Sequence, residues 1–166
     1  MTPAKFDPYT VLRELERERV TYVIVGGLAR VIHGSGELTR GIDLTPSPRP
    51  KNLERLQTAL ESLNARRTDR QPLDLPGLDP VTEPVLVLRS DAGEVKIVLE
   101  PAGTNGYDDL RHRANHEPIG EGLRPLVAGP SDLVRMLEAL GREHDRLTIE
   151  TMQRILELDR GLSRDR

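Results

Sequence analysis

The sequence predicts an α/β domain of the α+β kind, a mixed β-sheet flanked by helices and followed by a C-terminal helical segment. Three observations carry that expectation. Short β-branched apolar runs alternate with segments whose leucines recur at helical spacing. Two of those runs, Glu83 to Arg89 and Glu94 to Glu100, are separated by Ser90-Asp91-Ala92-Gly93, which reads as a hairpin with a loop of about four residues. Hairpins interspersed with helices argue for a mixed sheet over a uniformly wound parallel one.

In chain order, the first helix is expected over Pro8 to Glu18, with Asp7 as N-cap and Pro8 at the first helical position. Thr21 to Val25 (TYVIV) is a short buried strand. Gly26-Gly27 ends it, and Leu28 to His33 forms a short helix closed by Gly34 and Gly36. Ile42 to Thr45 is a second strand, stopped by Pro46, Pro48 and Pro50. The clearest helix is Lys51 to Asn64, where Leu53, Leu56, Leu60 and Leu63 make one apolar stripe. Thr68 to Thr82, rich in Pro, Asp and Gly, reads as a loop. After the hairpin come a loop from Pro101 to Gly106, a helix from Tyr107 to Ala114 and a short strand from Leu123 to Ala128. Ser131 is placed to cap a helix over Asp132 to Leu140, and a final helix covers Thr148 to Asp159. Residues 1–128 are expected to form the core, and 129–166 a helical segment packed on it as one structural unit.

Composition narrows the chemistry. With 166 residues the chain can bury a core without staples. One Phe, three Tyr and no Trp make that core aliphatic. The absence of cysteine excludes disulfides and thiolate metal sites. A net charge of −3 gives no global attraction to nucleic acid or anionic membrane. Residues up to Thr10 hold Lys5 and Asp7 and no apolar run, so no secretory signal is expected. No stretch approaches the ~20 apolar residues of a membrane span. A soluble cytoplasmic protein is the simple expectation. The basic clusters at Arg66, Arg67 and Arg70 and from Arg160 to Arg166 read as solvated faces, because no aromatic lies near them in sequence. His33, His112, His116 and His144 show no metal-ligand spacing. Neither a P-loop nor a Gly-x-Ser-x-Gly elbow occurs.

The most informative segment is YVIVGGLARVIHGSGELTRGIDLTP, Tyr22 to Pro46. A diglycine bend lets phosphates approach the backbone closely, and the helix start beyond it offers free N–H groups. Carboxylates two residues apart on a strand point to one face, where they hold Mg²⁺. Residues 41 and 43 share such a face, while Ile42 and Leu44 point to the core. On the later strand Val95, Ile97 and Leu99 share one face, and Lys96, Val98 and Glu100 the other.

This segment resembles the signature of the nucleotidyltransferase superfamily. There a Gly-Gly or Gly-Ser pair after the first strand opens a helix, and a following strand carries two carboxylates separated by one residue. Gly26 and Gly27 match the pair and Asp43 the second carboxylate, while the first carboxylate position falls on Gly41. Over most of the chain the resemblance is to the small prokaryotic branch, similar to AbiEii-type and MenT-type toxins of toxin–antitoxin systems. It runs through Pro50 to Arg66, Ala92 to Leu110 and Ser131 to Asp145. A third family carboxylate falls on Lys96 and a nucleotide-contacting Lys on Leu137, while Gly141, Arg142 and Asp145 match a Gly-Arg-x-x-Asp ending.

The resemblance implies nucleotide binding by Gly26, Gly27 and Arg142 and a chemical role for Asp43. Thr39 and Arg40, just upstream of that strand, are candidates either to contact phosphate or to be solvated loop residues. Lys96, an ammonium where the family has a carboxylate, is a candidate to bind phosphate directly or to pair with Asp43. Asp43 would be the metal ligand for Mg²⁺, and a nucleoside triphosphate the ligand or substrate. The partners implied are tRNA or other RNA, and an antitoxin protein. Two readings follow. In one, a protein of this fold and of toxin–antitoxin type binds a nucleoside triphosphate or RNA with impaired or absent metal-dependent transfer, because Gly41, Lys96 and Leu137 replace expected groups. In the other, it is an active toxin transferring nucleotides to tRNA or protein with Asp43 and a single Mg²⁺.

Overall fold

A computed structural model describes residues 5–164. Helix α1 (Pro8–Arg17) starts where the Asp7 carboxylate accepts hydrogen bonds from the Thr10 backbone N–H (3.2 Å) and hydroxyl (2.6 Å). Then follow β1 (Tyr22–Val25), α2 (Gly26–Ile32), β2 (Gly41–Pro46) and α3 (Pro50–Ser62). The second half holds β3 (Arg66–Arg67), β4 (Leu86–Ser90), β5 (Gly93–Ile97), α4 (Tyr107–Leu110), β6 (Asn115–His116), β7 (Leu126–Val127) and α5 (Pro130–Leu140). A 3₁₀ turn, Glu143–Asp145, leads into α6 (Arg146–Arg164).

The strands form one sheet in the order β3-β4-β5-β2-β1-β7-β6. Pairs β2–β5 and β1–β7 are parallel and the others antiparallel, the mixed sheet that the sequence predicts. Ile42, Leu44, Val95, Ile97, Leu86 and Leu88 lie on one face and are all buried. Leucines of α1 (Leu12, Leu15) and α3 (Leu53, Leu56, Leu60) join the same core, and the two helices touch. The core is aliphatic as expected, with Phe6, Tyr9, Tyr22 and Tyr107 packed at its margin.

Local chemistry explains where the structure departs from the expected elements. Helix α2 begins at the glycines themselves. The hairpin loop is two residues, not four: Ser90 pairs with Gly93, and its hydroxyl bridges the Ala92 N–H (3.1 Å) and the Gly93 carbonyl (2.8 Å). The helix at Tyr107 stops at Leu110, because Asn115 and His116 pair with β7. The strand expected over Leu123 to Ala128 is reduced to Leu126–Val127. Ser131 is not the cap of α5; Gly129 precedes Pro130, and no side chain caps the helix. Helix α6 outruns its expected bounds, and the last two residues of the basic tail lie outside the described residues. The stretch from Thr68 to Thr82 is irregular as expected. Arg67 anchors it, with Nη2 at 2.6 Å from both Asp69 and Glu83. Among the described residues no helix is long and apolar enough to cross a membrane.

Candidate functional site

Strand register builds the site. Antiparallel pairing sets Val25 opposite Asp43, and the parallel β2–β5 ladder pairs Gly41 with Glu94 and Asp43 with Lys96. Cross-strand partners share a face. Gly41, Asp43, Glu94 and Lys96 therefore form a square on the face opposite the buried Ile42, Leu44, Val95 and Ile97. Beside it the chain leaves β1 through Gly26, whose φ of +71° suits glycine. A Cβ there would fall 2.3 Å from Asp43 Oδ2. The Asp43 carboxylate thus lies directly against the diglycine bend.

Gly26, Asp43, Lys96 and Arg142 line one cleft of about 430 Å³, together with Arg30 and Glu100. Its opposite wall is apolar: Leu133, Met136, Leu137 and Leu140 of α5. That volume and this pairing of a polar floor with an apolar wall are usual for small-molecule sites. Burial pushes the Asp43 carboxyl above the ordinary carboxylate value, against the pull of Lys96 and Arg30, with Glu94 adding to the rise. Lys96 Nζ makes its close ion pair with Glu94, 3.6 Å from Oε1, and not with Asp43. As a member of an inner strand bordered by β4 and β2, Lys96 is at no sheet edge.

A second ion pair closes the α2 side. Arg30 grips Glu37 through Nη2–Oε1 (2.8 Å) and Nε–Oε2 (3.0 Å), and the Ser35 hydroxyl donates to Oε2 (2.7 Å). Burial opposes ionisation of Glu37, but these donors outweigh it and hold the carboxyl below its usual value. Arg142 Nε lies 2.6 Å from Asp145 Oδ2.

The other expected residues are placed differently. Gly27 sits under the Glu37 carboxylate, its Cβ position 3.3 Å from Oε1. Thr39 donates its hydroxyl to the Gly41 carbonyl (2.9 Å). Thr39 and Arg40 line a neighbouring groove of about 550 Å³ and not this cleft, because they precede β2 at the end away from the α5 wall. A side chain at Gly41 would start 2.6 Å from the Glu94 carbonyl oxygen and 3.0 Å from Glu94 Cβ, so β2 and β5 approach too closely to admit one. Helix α2 has seven residues, which makes its dipole a minor contribution.

Arg30, Glu37 and Glu94 were not expected at the site. Two signals were in the sequence: Arg30 lies one helical turn beyond Gly26, and Glu94 shares the strand face of Lys96. Asp109 holds a structural position away from the cleft. It accepts from the Asn105 N–H (2.9 Å) and pairs with Arg135 (3.1 Å), which also pairs with the buried Asp132. His33 donates through Nε2 to the Ala128 carbonyl (2.8 Å), tying α2 to the end of β7.

No protein-family model matches the chain. No curated protein matches it significantly. Solved structures do. A protein of Thermotoga maritima described as a candidate nucleotidyltransferase superposes with a TM-score of 0.57 at 16% identity, over 91% of this chain and 96% of that one. The antibiotic-resistance factor ANT(2'')-Ia superposes with a TM-score of 0.54 at 12% identity, over 95% of this chain and 91% of that one. At such identities the likeness is one of architecture: this chain has the nucleotidyltransferase fold.

Proposed function

We propose that the chain binds a nucleoside triphosphate in the cleft between β2, β5 and α5, holding the phosphates with its own cations and without a bridging metal. The observation that carries this reading is Lys96, an ammonium paired in register with Asp43 beside the Gly26 bend. Lys96 and Arg142 supply point and fork charges for phosphate oxygens. The α5 wall, with Leu137 where the resemblance expects a Lys, suits a base. Asp43 is left to accept a hydrogen bond from a sugar hydroxyl.

The fold also implies Mg²⁺, and the donor set argues against a two-ion centre. Such a centre needs carboxylates that bring two dications to within ~4 Å. Here position 41 has no room for one, and position 96 carries a positive charge that repels cations. Among the described residues no group of three or more His, Asp or Glu is arranged to hold a metal.

Isothermal calorimetry with ATP in EDTA and in Mg²⁺ tests the reading. Binding is expected in EDTA, and Lys96→Met is expected to weaken it at least ~10-fold, about 1.4 kcal/mol. Strict dependence on Mg²⁺ would overturn it. A transferase reading with one Mg²⁺ on Asp43 keeps support from the carboxylate's place against the bend, since Mg²⁺ often takes one protein carboxylate plus phosphate oxygens. Transfer of label from nucleotide to RNA or protein, lost in Asp43→Ala, would establish it. A toxin–antitoxin role goes with either reading.

A further inference from the structure

The groove beside the cleft has a charge pattern that the folded chain does not neutralise. It runs along the end of the sheet where β2 begins and the β4–β5 hairpin turns, and is lined by Lys5, Phe6, Thr39, Arg40, Arg89 and Glu94. Register extends it to the sheet edge, since Arg66 pairs with Arg89 and Arg89 with Glu94. Two arginines therefore stand directly opposite each other on adjacent strands, an arrangement that costs stability when nothing lies between them. Arg66, Arg89, Arg40 and Lys5 form no ion pair among the described residues, and the one carboxylate in the groove, Glu94, pairs with Lys96. The neighbouring Arg67 is the control: same strand, opposite face, and clamped by two carboxylates.

We propose that this groove binds the backbone of a single-stranded polynucleotide, with Arg40, Arg89 and Arg66 on successive phosphates and Phe6 as a wall against which a base stacks. Guanidinium forks match phosphate oxygens, and a cationic track with an aromatic platform is the usual way to hold single strands. The sequence hides this because Phe6 is remote in the chain from the arginines; packing brings it to the hairpin, against Gly93. An acidic peptide is the poorer match, since it makes no use of the aromatic wall. The inference stands whether or not the cleft takes a nucleotide.

Fluorescence anisotropy with labelled single-stranded RNA and DNA oligonucleotides, in EDTA and without nucleotide, tests it. Binding is expected to weaken with salt, with a log–log slope of roughly −0.7 for each phosphate engaged, so about −2 for three. Arg40→Gln/Arg89→Gln is expected to lower affinity at least tenfold and to flatten that slope. Arg66→Gln is expected to do so independently but less. Thermal melting serves as the second readout: Arg89→Gln is expected to leave Tm unchanged or raise it, because a like charge is removed. Binding by either nucleic acid supports the proposal. No binding at low salt, binding untouched by the variants, or equal binding of polyglutamate would overturn it, the last pointing to an acidic protein partner.

Discussion

Strands β2 and β5 present two faces that differ in every physical respect. On one, Ile42, Leu44, Val95 and Ile97 are each 0% exposed and locked into the aliphatic core. On the other, Asp43, Glu94 and Lys96 are half-buried and charged, and Asp43 lies against a glycine bend that tolerates no Cβ. The same hydrogen-bonded ladder supports both. The first face contributes stability through the area it removes from water; the second holds a desolvated carboxylate beside ammonium and guanidinium groups, which costs stability. A fold under selection for stability alone has little reason to keep the second face.

Three substitutions break or sharpen that contrast. The largest effect is expected on the covered face, where Ile97→Ala should cost about 3 kcal/mol in chemical denaturation, the usual loss for emptying a buried aliphatic site. Loss of under ~1 kcal/mol would mean the core is less tightly packed than it looks.

Next is Gly26→Ala, which forces an L side chain into positive φ and drives a methyl group into the Asp43 carboxylate. The backbone strain alone costs ~1–2 kcal/mol. Because Asp43 must also turn away, nucleotide affinity should fall more than stability does. Equal binding by folded Gly26→Ala would detach the bend from the cleft's function.

The smallest effect is Asp43→Asn, and it carries the opposite sign. The folded carboxyl titrates above its ordinary value. The folded state therefore binds the proton more tightly, and the stability this gives is present at low pH. It is lost as pH rises from the ordinary value through the elevated one. Above that window Asn removes the cost of an ionised buried acid, so Asp43→Asn should raise stability at neutral pH by under ~1 kcal/mol. Melting curves at pH 4 and pH 7 check this; a variant less stable than the parent at pH 7 would contradict the assignment of cost to this face.

Much of the contrast was legible in the sequence. Alternation along Gly41 to Thr45 and Val95 to Leu99 separates the faces; that Asp43 lies beside the diglycine bend was implied by the family resemblance alone. The alternation is short-range, so a reader of the chain can follow it. What was hidden depends on approach between distant segments. The clamp of Glu37 on Arg30 over Gly27 and the removal of Thr39 and Arg40 to a second groove both follow from how residues 33–40 return to the sheet. The two-residue strands Arg66–Arg67 and Asn115–His116 are too short for any periodicity to register, and exist because β4 and β7 offer them a ladder.

The contact between Gly41 and the Glu94 carbonyl has a consequence for redesign. Grafting an acid onto position 41 to build a metal centre meets main chain, which no change of residue at 94 can remove. The strands would have to part, at the expense of the ladder that also sets Asp43 against Lys96. A route to dication chemistry therefore starts on β5, by neutralising residue 96, and not at the glycine that the family resemblance would nominate first.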